Sequence, residues 1–216
     1  MPRASSVPAT DRWPGRSRVC QGGAVRLAPT YPVRTERLLL RPLTPEDVDA
    51  VHAYQSLAEV CAYVPYEPRT REEVETRLTD PDFTRPALDA EKQVLILAIT
   101  LAGTGGLIGD ALLFWHSEQH RSGEVGYELH PDHWGRGYAT EAAGAMLRLG
   151  FEELGLRRIT ARIDAENPAS AAVLRRLGMR QEAVLVENEW FKGRWSTEVD
   201  FAILDREWRA GQRAEH

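Results

Sequence analysis

The chain has 216 residues, of which 43% are hydrophobic, so it can bury the core of a single domain. Its formal net charge of −5 argues against general nucleic-acid binding and leaves room for a cationic partner such as an amine. The longest apolar run, Val94 to Ala102, is too short to cross a bilayer, and the first residues lack the apolar segment of a secretion signal, so we expect a cytoplasmic protein without a membrane partner.

The first 32 residues mix Pro, Gly, Ser and Arg with few large apolar residues. This composition predicts a flexible extension over residues 1–32, one domain over 33–209, and a short tail over 210–216. Cys20 and Cys61 are far apart in the sequence, so neither a disulfide framework nor a cysteine metal site is predicted.

The domain is predicted to begin with a strand at Glu36 to Arg41, followed by two helices. Thr44 has the features of a helix start, because a proline and two acids follow this hydroxyl residue. That helix is predicted to end near Leu57, and a second one to begin near Thr70. The loop between them, residues 61–68, holds two tyrosines and two prolines.

Three strand-like runs come next, and polar or glycine-rich turns separate them. They are Val94 to Thr100, Leu107 to Trp115 and Glu124 to Leu129. Runs joined by such short turns predict an antiparallel meander. Glu124 and Glu128 lie on the same face of the third strand, with Gly126 between them.

The second half of the domain is predicted to alternate helices and strands. A helix runs to about Leu154, a strand covers Arg158 to Asp164, and a helix covers Ala171 to Leu177. A hairpin at Ala183 to Leu204 follows. The chain is therefore predicted to form a mixed α/β fold.

A glycine turn between the third meander strand and the next helix has the features of an anion site. It reads Trp134-Gly135-Arg136-Gly137-Tyr138-Ala139, and Thr140 begins the helix. Glycines allow the backbone to approach a ligand, and the unpaired N–H groups of a first helical turn point at it. We therefore expect a ligand that carries phosphate.

Three phosphate ligands are considered for this turn. A dinucleotide motif would place a third glycine at Thr140, and Asp164 could then bind the ribose. A Walker loop is excluded because no Gly-Lys-Ser/Thr sequence is present. Coenzyme A is the third ligand considered. The order of elements disfavours the dinucleotide, since a dinucleotide fold would place its glycine turn after the first strand.

The turn resembles the pyrophosphate turn of the GCN5-related N-acetyltransferase (GNAT) family, in particular its branch that acetylates the N-termini of ribosomal proteins. Gly137 and Ala139 match two fixed positions of the Q/R-x-x-G-x-G/A pattern, and Trp134 stands where Gln or Arg is expected. Asn167-Pro168-Ala169-Ser170 matches the family's N-x-x-S segment. The run from Glu189 to Glu198 resembles the final hairpin of this branch.

The resemblance implies a single N-acetyltransferase domain over residues 33–209. Its sheet would be mostly antiparallel and twisted, with six to seven strands and about four flanking helices, and splayed between its fourth and fifth strands. Acetyl-CoA would be the cosubstrate. The residues implied to bind it are Leu129, His130, Trp134, Gly135, Arg136, Gly137, Tyr138, Ala139, Thr140, Asn167 and Ser170.

The implied reaction is direct attack of an amine on the thioester, and three side chains are candidates for catalysis. Glu189 is the first candidate for the base, because it lies 19 positions after Ser170, as in the ribosomal-protein branch. Glu124 is the second. Ser170 is the candidate that supports the leaving thiolate, and a backbone N–H, placed by the resemblance at Leu129, would face the thioester oxygen.

Several alternatives remain open at this stage. The acceptor could be the N-terminal α-amine of a protein or peptide, which the resemblance favours, or a small-molecule amine such as an antibiotic or polyamine. A non-catalytic acyl-CoA-binding module and a nicotinamide-dependent oxidoreductase are the other classes considered. No metal is expected, and the aromatic hairpin near Trp190 could form one face of a homodimer.

Overall fold

The computed structural model describes residues 26–214, whose strands form one eight-stranded sheet. The strands are β1 (Val33–Arg34), β2 (Leu38–Pro42), β3 (Val94–Leu101), β4 (Leu107–Ser117), β5 (Ser122–Leu129), β6 (Arg158–Asp164), β7 (Arg180–Phe191) and β8 (Arg194–Leu204). Their order is β1-β2-β3-β4-β5-β6-β8-β7, and every neighbouring pair is antiparallel except β5 and β6.

Six α-helices flank the sheet within the described residues. They are α1 (Val48–Gln55), α2 (Ala58–Cys61), α3 (Arg71–Leu78), α4 (Tyr138–Arg148), α5 (Pro168–Arg176) and α6 (Asp205–Ala214). A 3₁₀ turn at Pro45–Asp47 precedes α1, and a π-helical turn at Leu149–Glu153 extends α4.

The sheet is covered on both faces, which explains its continuous apolar strands. In β3, Leu95, Leu97 and Ile99 belong to a core that includes residues of α4 and α5. The alternate residues Ile96 and Ala98 pack instead with α1 and α3. The period of two along the strand thus supplies two separate cores.

β5 and β6 separate soon after they begin to pair. Their parallel pairing joins Ser122–Glu124 to Arg158–Thr160, whereas the rest of β5, Val125–Leu129, pairs only with β4. A gap therefore opens between the two halves of the sheet from Glu124 onward. The expected splay is present at this place, because β5 and β6 are the fourth and fifth strands when the two-residue β1 is left out of the count. This gap positions the candidate site.

The mixed α/β fold is confirmed, with differences from the predicted counts. The sheet has eight strands rather than six to seven, because the two-residue β1 pairs with β2.

Residues 1–25 of the expected extension lie outside the described residues. Within residues 26–32, Leu27 pairs with Leu88 and is 2% exposed. The expected tail after residue 209 is helical through Ala214. No helix within residues 26–214 is both long and apolar enough to cross a membrane.

Candidate functional site

The glycine turn has the geometry that an anion site requires. Gly135 and Gly137 adopt φ values of 71° and 81°, in the left-handed region that favours glycine, and Gly137 is the N-cap residue of α4. The first N–H groups of α4 therefore face the turn. The buried hydroxyl oxygen of Thr140 has no hydrogen-bond partner among the described residues. Such an unpaired polar atom beside a helix N-terminus suits a phosphate oxygen.

Arg37 and Glu141 brace this turn, and the sequence did not single out either residue. Arg37 donates to a Glu141 carboxylate oxygen at 2.7 Å and to the carbonyl of Arg136 at 3.0 Å. Thr35 donates to the other carboxylate oxygen of Glu141 at 2.6 Å. Burial opposes ionisation of Glu141, but the hydrogen bonds from Thr35 and Arg37 outweigh it, so its pKa is lowered. The contacts tie the start of the domain to the turn.

The end of β5 presents backbone groups to the gap. The His130 N–H donates to the carbonyl of Ile108 on β4 at 2.8 Å. Because backbone directions alternate along a strand, the N–H of Leu129 points the other way, into the gap. The indole N–H of Trp134 donates to the carbonyl of Leu129 at 2.8 Å. Trp134 thus braces the end of β5.

Helix α5 brings Ser170 to the opposite side of the gap. The Asn167 side chain caps the helix by accepting a hydrogen bond from the Ser170 N–H at 3.0 Å, with Pro168 at the first helical position. The Tyr127 hydroxyl of β5 donates to the Ser170 carbonyl at 3.3 Å. Ser170 is therefore fixed to β5 across the gap.

Three carboxylates converge on the other face of the gap. Glu124 lies 3.0 Å from the Nε2 atom of His116. Glu189 and Glu198 come from the β7–β8 hairpin and line the same cavity as Glu124. Burial, together with repulsion from Asp200, Glu189 and Glu124, raises the pKa of Glu198. In the sequence, Glu198 was noted only as the end of the hairpin motif. Its position on the face of β8 that lines the cavity is the signal that could have identified it.

A second polar cluster lies deeper on this face. Asp110 and Glu128 stand directly opposite one another on β4 and β5. Tyr54 donates to Asp110 at 2.5 Å, Gln55 donates to Glu128 at 2.6 Å, and the Tyr66 hydroxyl donates to the second Glu128 oxygen. Burial and the nearby Glu128 carboxylate raise the pKa of Asp110 well above its usual value. Gly126 also lines the cavity, and a Cβ atom added there would lie 3.3 Å from the Leu112 side chain.

A cavity of about 1710 Å³ joins these parts. Two of the predicted site residues, His130 and Arg136, are absent from its wall. The predicted residues that line it are Glu124, Leu129, Trp134, Gly135, Gly137, Tyr138, Ala139, Thr140, Asn167, Ser170 and Glu189. No group of three or more His, Cys, Asp or Glu side chains within residues 26–214 is arranged to hold a metal ion.

Replacing Asp110 with asparagine is expected to stabilise the protein increasingly as the pH rises above about 4. A carboxyl group whose pKa is raised by folding stabilises the native state most below its unfolded pKa, near 3.8, and this contribution is lost as the pH rises through the folded value. Each tenfold change in proton affinity corresponds to about 1.4 kcal/mol. Chemical denaturation of both proteins at a series of pH values measures the difference.

Asp47→Asn is the matched control for this experiment. Asp47 is also buried, yet Arg41 binds it at 2.7 Å with both terminal guanidinium nitrogens, and the pKa of Asp47 is lowered despite the burial. The sign is therefore opposite and the pH window is lower: Asp47→Asn should lose stability relative to the native protein as the pH rises to about 3.8, the unfolded pKa, and the difference should stay constant above it. Parallel trends for the two variants would contradict the assignment of the Asp110–Glu128 pair.

Comparison with known proteins agrees with the geometry. Residues 37–180 match the model of the acetyltransferase (GNAT) domain. The chain is 34% identical to the uncharacterized N-acetyltransferase YoaA of Bacillus subtilis, an alignment that covers 82% of this chain and 99% of that protein. It is 26% identical to the spermidine N(1)-acetyltransferase of Escherichia coli, over 79% of this chain and 88% of that protein.

Solved structures show the same fold. An acetyltransferase of the GNAT family from Bacillus anthracis superposes with a TM-score of 0.69 and 31% identity, covering 80% of this chain and 98% of that chain. RimL, a ribosomal L7/L12 α-N-protein acetyltransferase in complex with coenzyme A, gives a TM-score of 0.68 at 17% identity, covering 81% and 98%. At that identity the RimL likeness concerns the fold alone, so the ribosomal-protein branch is not established.

Proposed function

This chain belongs to the GNAT family and is an acetyl-CoA-dependent N-acetyltransferase, and we propose that its acceptor is a small primary amine that enters on the face of Glu124 and Glu189. The observation that carries the proposal is the cleft between the diverging strands, with the glycine turn on one side and three carboxylates on the other. A cationic amine is attracted by such carboxylates.

The cosubstrate is proposed to lie along the gap. Its pyrophosphate would bind the N–H groups of the turn from Gly135 to Thr140, and its pantetheine arm would pair with the free edge of β5. The Leu129 N–H, which points into the gap, would donate to the thioester oxygen. A donor held in this way stabilises the oxyanion that forms when the amine attacks.

The acetyl group is transferred directly from the thioester to the amine, without a covalent enzyme intermediate. The amine nitrogen forms a bond to the acetyl carbon, the carbon–sulfur bond breaks, and the amine proton passes to Glu189. Ser170 donates a hydrogen bond to the leaving thiolate. Cys61 is unsuited to nucleophilic attack, because burial and the nearby Glu128 raise the pKa of its thiol.

The base needs only modest strength when the acceptor is an α-amine. At neutral pH an α-amine with a pKa near 7.8 costs about 1 kcal/mol to deprotonate, whereas a lysine-like amine costs about 4–5 kcal/mol. The N-terminal α-amine expected from the sequence is therefore kept as the second candidate. The small amine is preferred because Tyr66 connects the two walls of the cleft, leaving less room for a polypeptide.

A ligand panel tests the function. With acetyl-CoA or desulfo-CoA at about 100 times the dissociation constant, ligand binding adds about 2.7 kcal/mol, which corresponds to about 5 to 10 °C in Tm for a domain of this size. NAD should give no shift. Thiol release is then measured with straight-chain amines and with peptides that carry a free N-terminus. Stabilisation by NAD alone would contradict the coenzyme A site, and acetylation of peptides alone would contradict the small-amine acceptor.

The hairpin also remains our proposed dimer face. Trp190 and Trp195 are 61% and 57% exposed, and their rings meet edge to face at 5.5 Å. Trp190 lies on the edge strand β7 and Trp195 on its neighbour β8. Exposed paired aromatic side chains at the edge of a sheet are typical of interaction surfaces.

A further inference from the structure

Lys192 lies at the turn of the β7–β8 hairpin and reaches the loop between α2 and α3. Its φ of 46° and the φ of 80° at Gly193 place both turn residues in the left-handed region, which suits a two-residue hairpin turn. The ammonium group donates to the carbonyl of Cys61 at 2.5 Å and to that of Tyr66 at 2.7 Å. Its side chain is only 20% exposed, and Glu67 lies 3.7 Å away.

Tyr66 carries this connection to the other half of the sheet. Its hydroxyl group donates to Glu128 on β5, while its carbonyl accepts from Lys192 on the hairpin. The guanidinium group of Arg69 lies 3.7 Å above its ring and also donates to Gln55 at 3.1 Å. Both ends of the tyrosine are therefore fixed.

The two anchors of Tyr66 belong to the two halves of the sheet that separate after Glu124. β5 carries Glu128 on one wall of the gap, and the hairpin carries Glu189, three residues before Lys192, on the other. Hydrogen bonds from an ammonium group to carbonyl oxygens are among the stronger ones in proteins, and the Lys192 side chain that donates these two is 20% exposed. The connection therefore sets how far apart the two walls stand on the acceptor face.

We propose that Lys192 determines acceptor specificity: by tying the hairpin turn to Tyr66, it holds the acceptor cleft at a width that admits a straight-chain primary amine and excludes a peptide N-terminus. The inference rests on the proposed function, since it concerns the face on which the amine enters. Lys192 acts as a positioning residue, because it contacts the walls of the cleft rather than the reacting atoms.

Lys192→Met removes the donors while keeping a flexible side chain of similar length, and Lys192→Arg keeps them. The ratio of kcat/KM for 1,4-diaminobutane to kcat/KM for a tetrapeptide with a free N-terminus is measured for each variant. We expect this ratio to fall at least tenfold in Lys192→Met and to stay within threefold of the native value in Lys192→Arg. The KM for acetyl-CoA should stay within twofold in both variants, because the glycine turn is untouched.

Tyr66→Phe tests the same connection from its other end, and it remains informative if Lys192→Met fails to fold. It removes the hydroxyl group on Glu128 and keeps the ring against Arg69. The same fall in the ratio is expected, and the double variant should add little to either single one, because both changes break one connection.

The outcomes separate the two proposals. A native enzyme that acetylates only the peptide overturns both the small-amine acceptor and the role of Lys192. A native enzyme that prefers the diamine, with an unchanged ratio in Lys192→Met and in Tyr66→Phe, overturns the role of Lys192 alone.

Discussion

Gly137→Asp is expected to abolish acetyl-CoA binding at concentrations that saturate the native protein. Gly137 has a φ of 81° and is the N-cap residue of α4, so its backbone lies where the pyrophosphate is proposed to bind. An aspartate there adds a negative charge beside the phosphates. At an effective dielectric constant of about 20, two unit charges about 5 Å apart repel by about 3 kcal/mol, which weakens binding more than 100-fold. Isothermal titration with acetyl-CoA measures the loss.

Gly137→Asn is the matched control, because it has nearly the same size and no charge. Both side chains must adopt the left-handed conformation, which Asn and Asp tolerate better than most residues, and both meet the Arg37 side chain 3.3 Å from the new Cβ atom. The strain is therefore shared, and the difference between the two variants reports the charge. We expect Gly137→Asn to bind within about tenfold of the native protein. Equal affinities for the two variants would show that no anion lies at this turn.

The structural features of the site that were predicted correctly from the sequence are those that local patterns encode. Glycine is the residue type that a left-handed turn requires, so Gly135 and Gly137 predicted the turn where the structure has it. Asn167 followed by Pro168 predicted a helix start, and the structure shows the cap. Apolar runs separated by short turns predicted the three strands of the meander close to their observed bounds.

Contacts between distant parts of the chain were not predicted, because no local pattern encodes them. Arg37 and Glu141 are 104 residues apart, and their pairing depends on how β2 lies against α4. The Asp110–Glu128 pair requires the register of β4 and β5, which a shift of one residue would abolish. The Lys192–Tyr66 contact spans 126 residues and two loops.

The ends of helices and strands were also predicted less accurately than the helices and strands themselves. The helix predicted to reach Leu154 ends as an α-helix at Arg148 and continues as a π-helical turn to Glu153. The apolar pattern continues through both, so the sequence alone does not distinguish the two hydrogen-bond patterns. β1 has only two residues and is too short to show any alternation.

Glu189→Gln is expected to lower kcat by about 100-fold or more while leaving the KM for acetyl-CoA within twofold. Removal of a general base typically costs 10²–10⁴ in rate, and glutamine keeps the shape of the side chain without accepting the amine proton. Steady-state rates of thiol release over a range of pH values measure the effect. Glu187→Gln is the control: it lies two residues earlier on β7 and does not line the cavity, so its rates should match the native enzyme.

The pH dependence of the remaining activity distinguishes the carboxylates of the cluster. Burial raises the pKa of Glu198, and repulsion from Glu189 contributes to the rise. In Glu189→Gln that repulsion is absent, so the pKa of Glu198 should fall. If Glu198 or water activated by it carries the residual rate, the acid side of the kcat profile moves to lower pH. Unchanged turnover in Glu189→Gln would remove Glu189 from the mechanism. The role of general base would then pass to Glu124, which is the second predicted base and lines the same cavity. In that case Glu124→Gln would lower kcat instead.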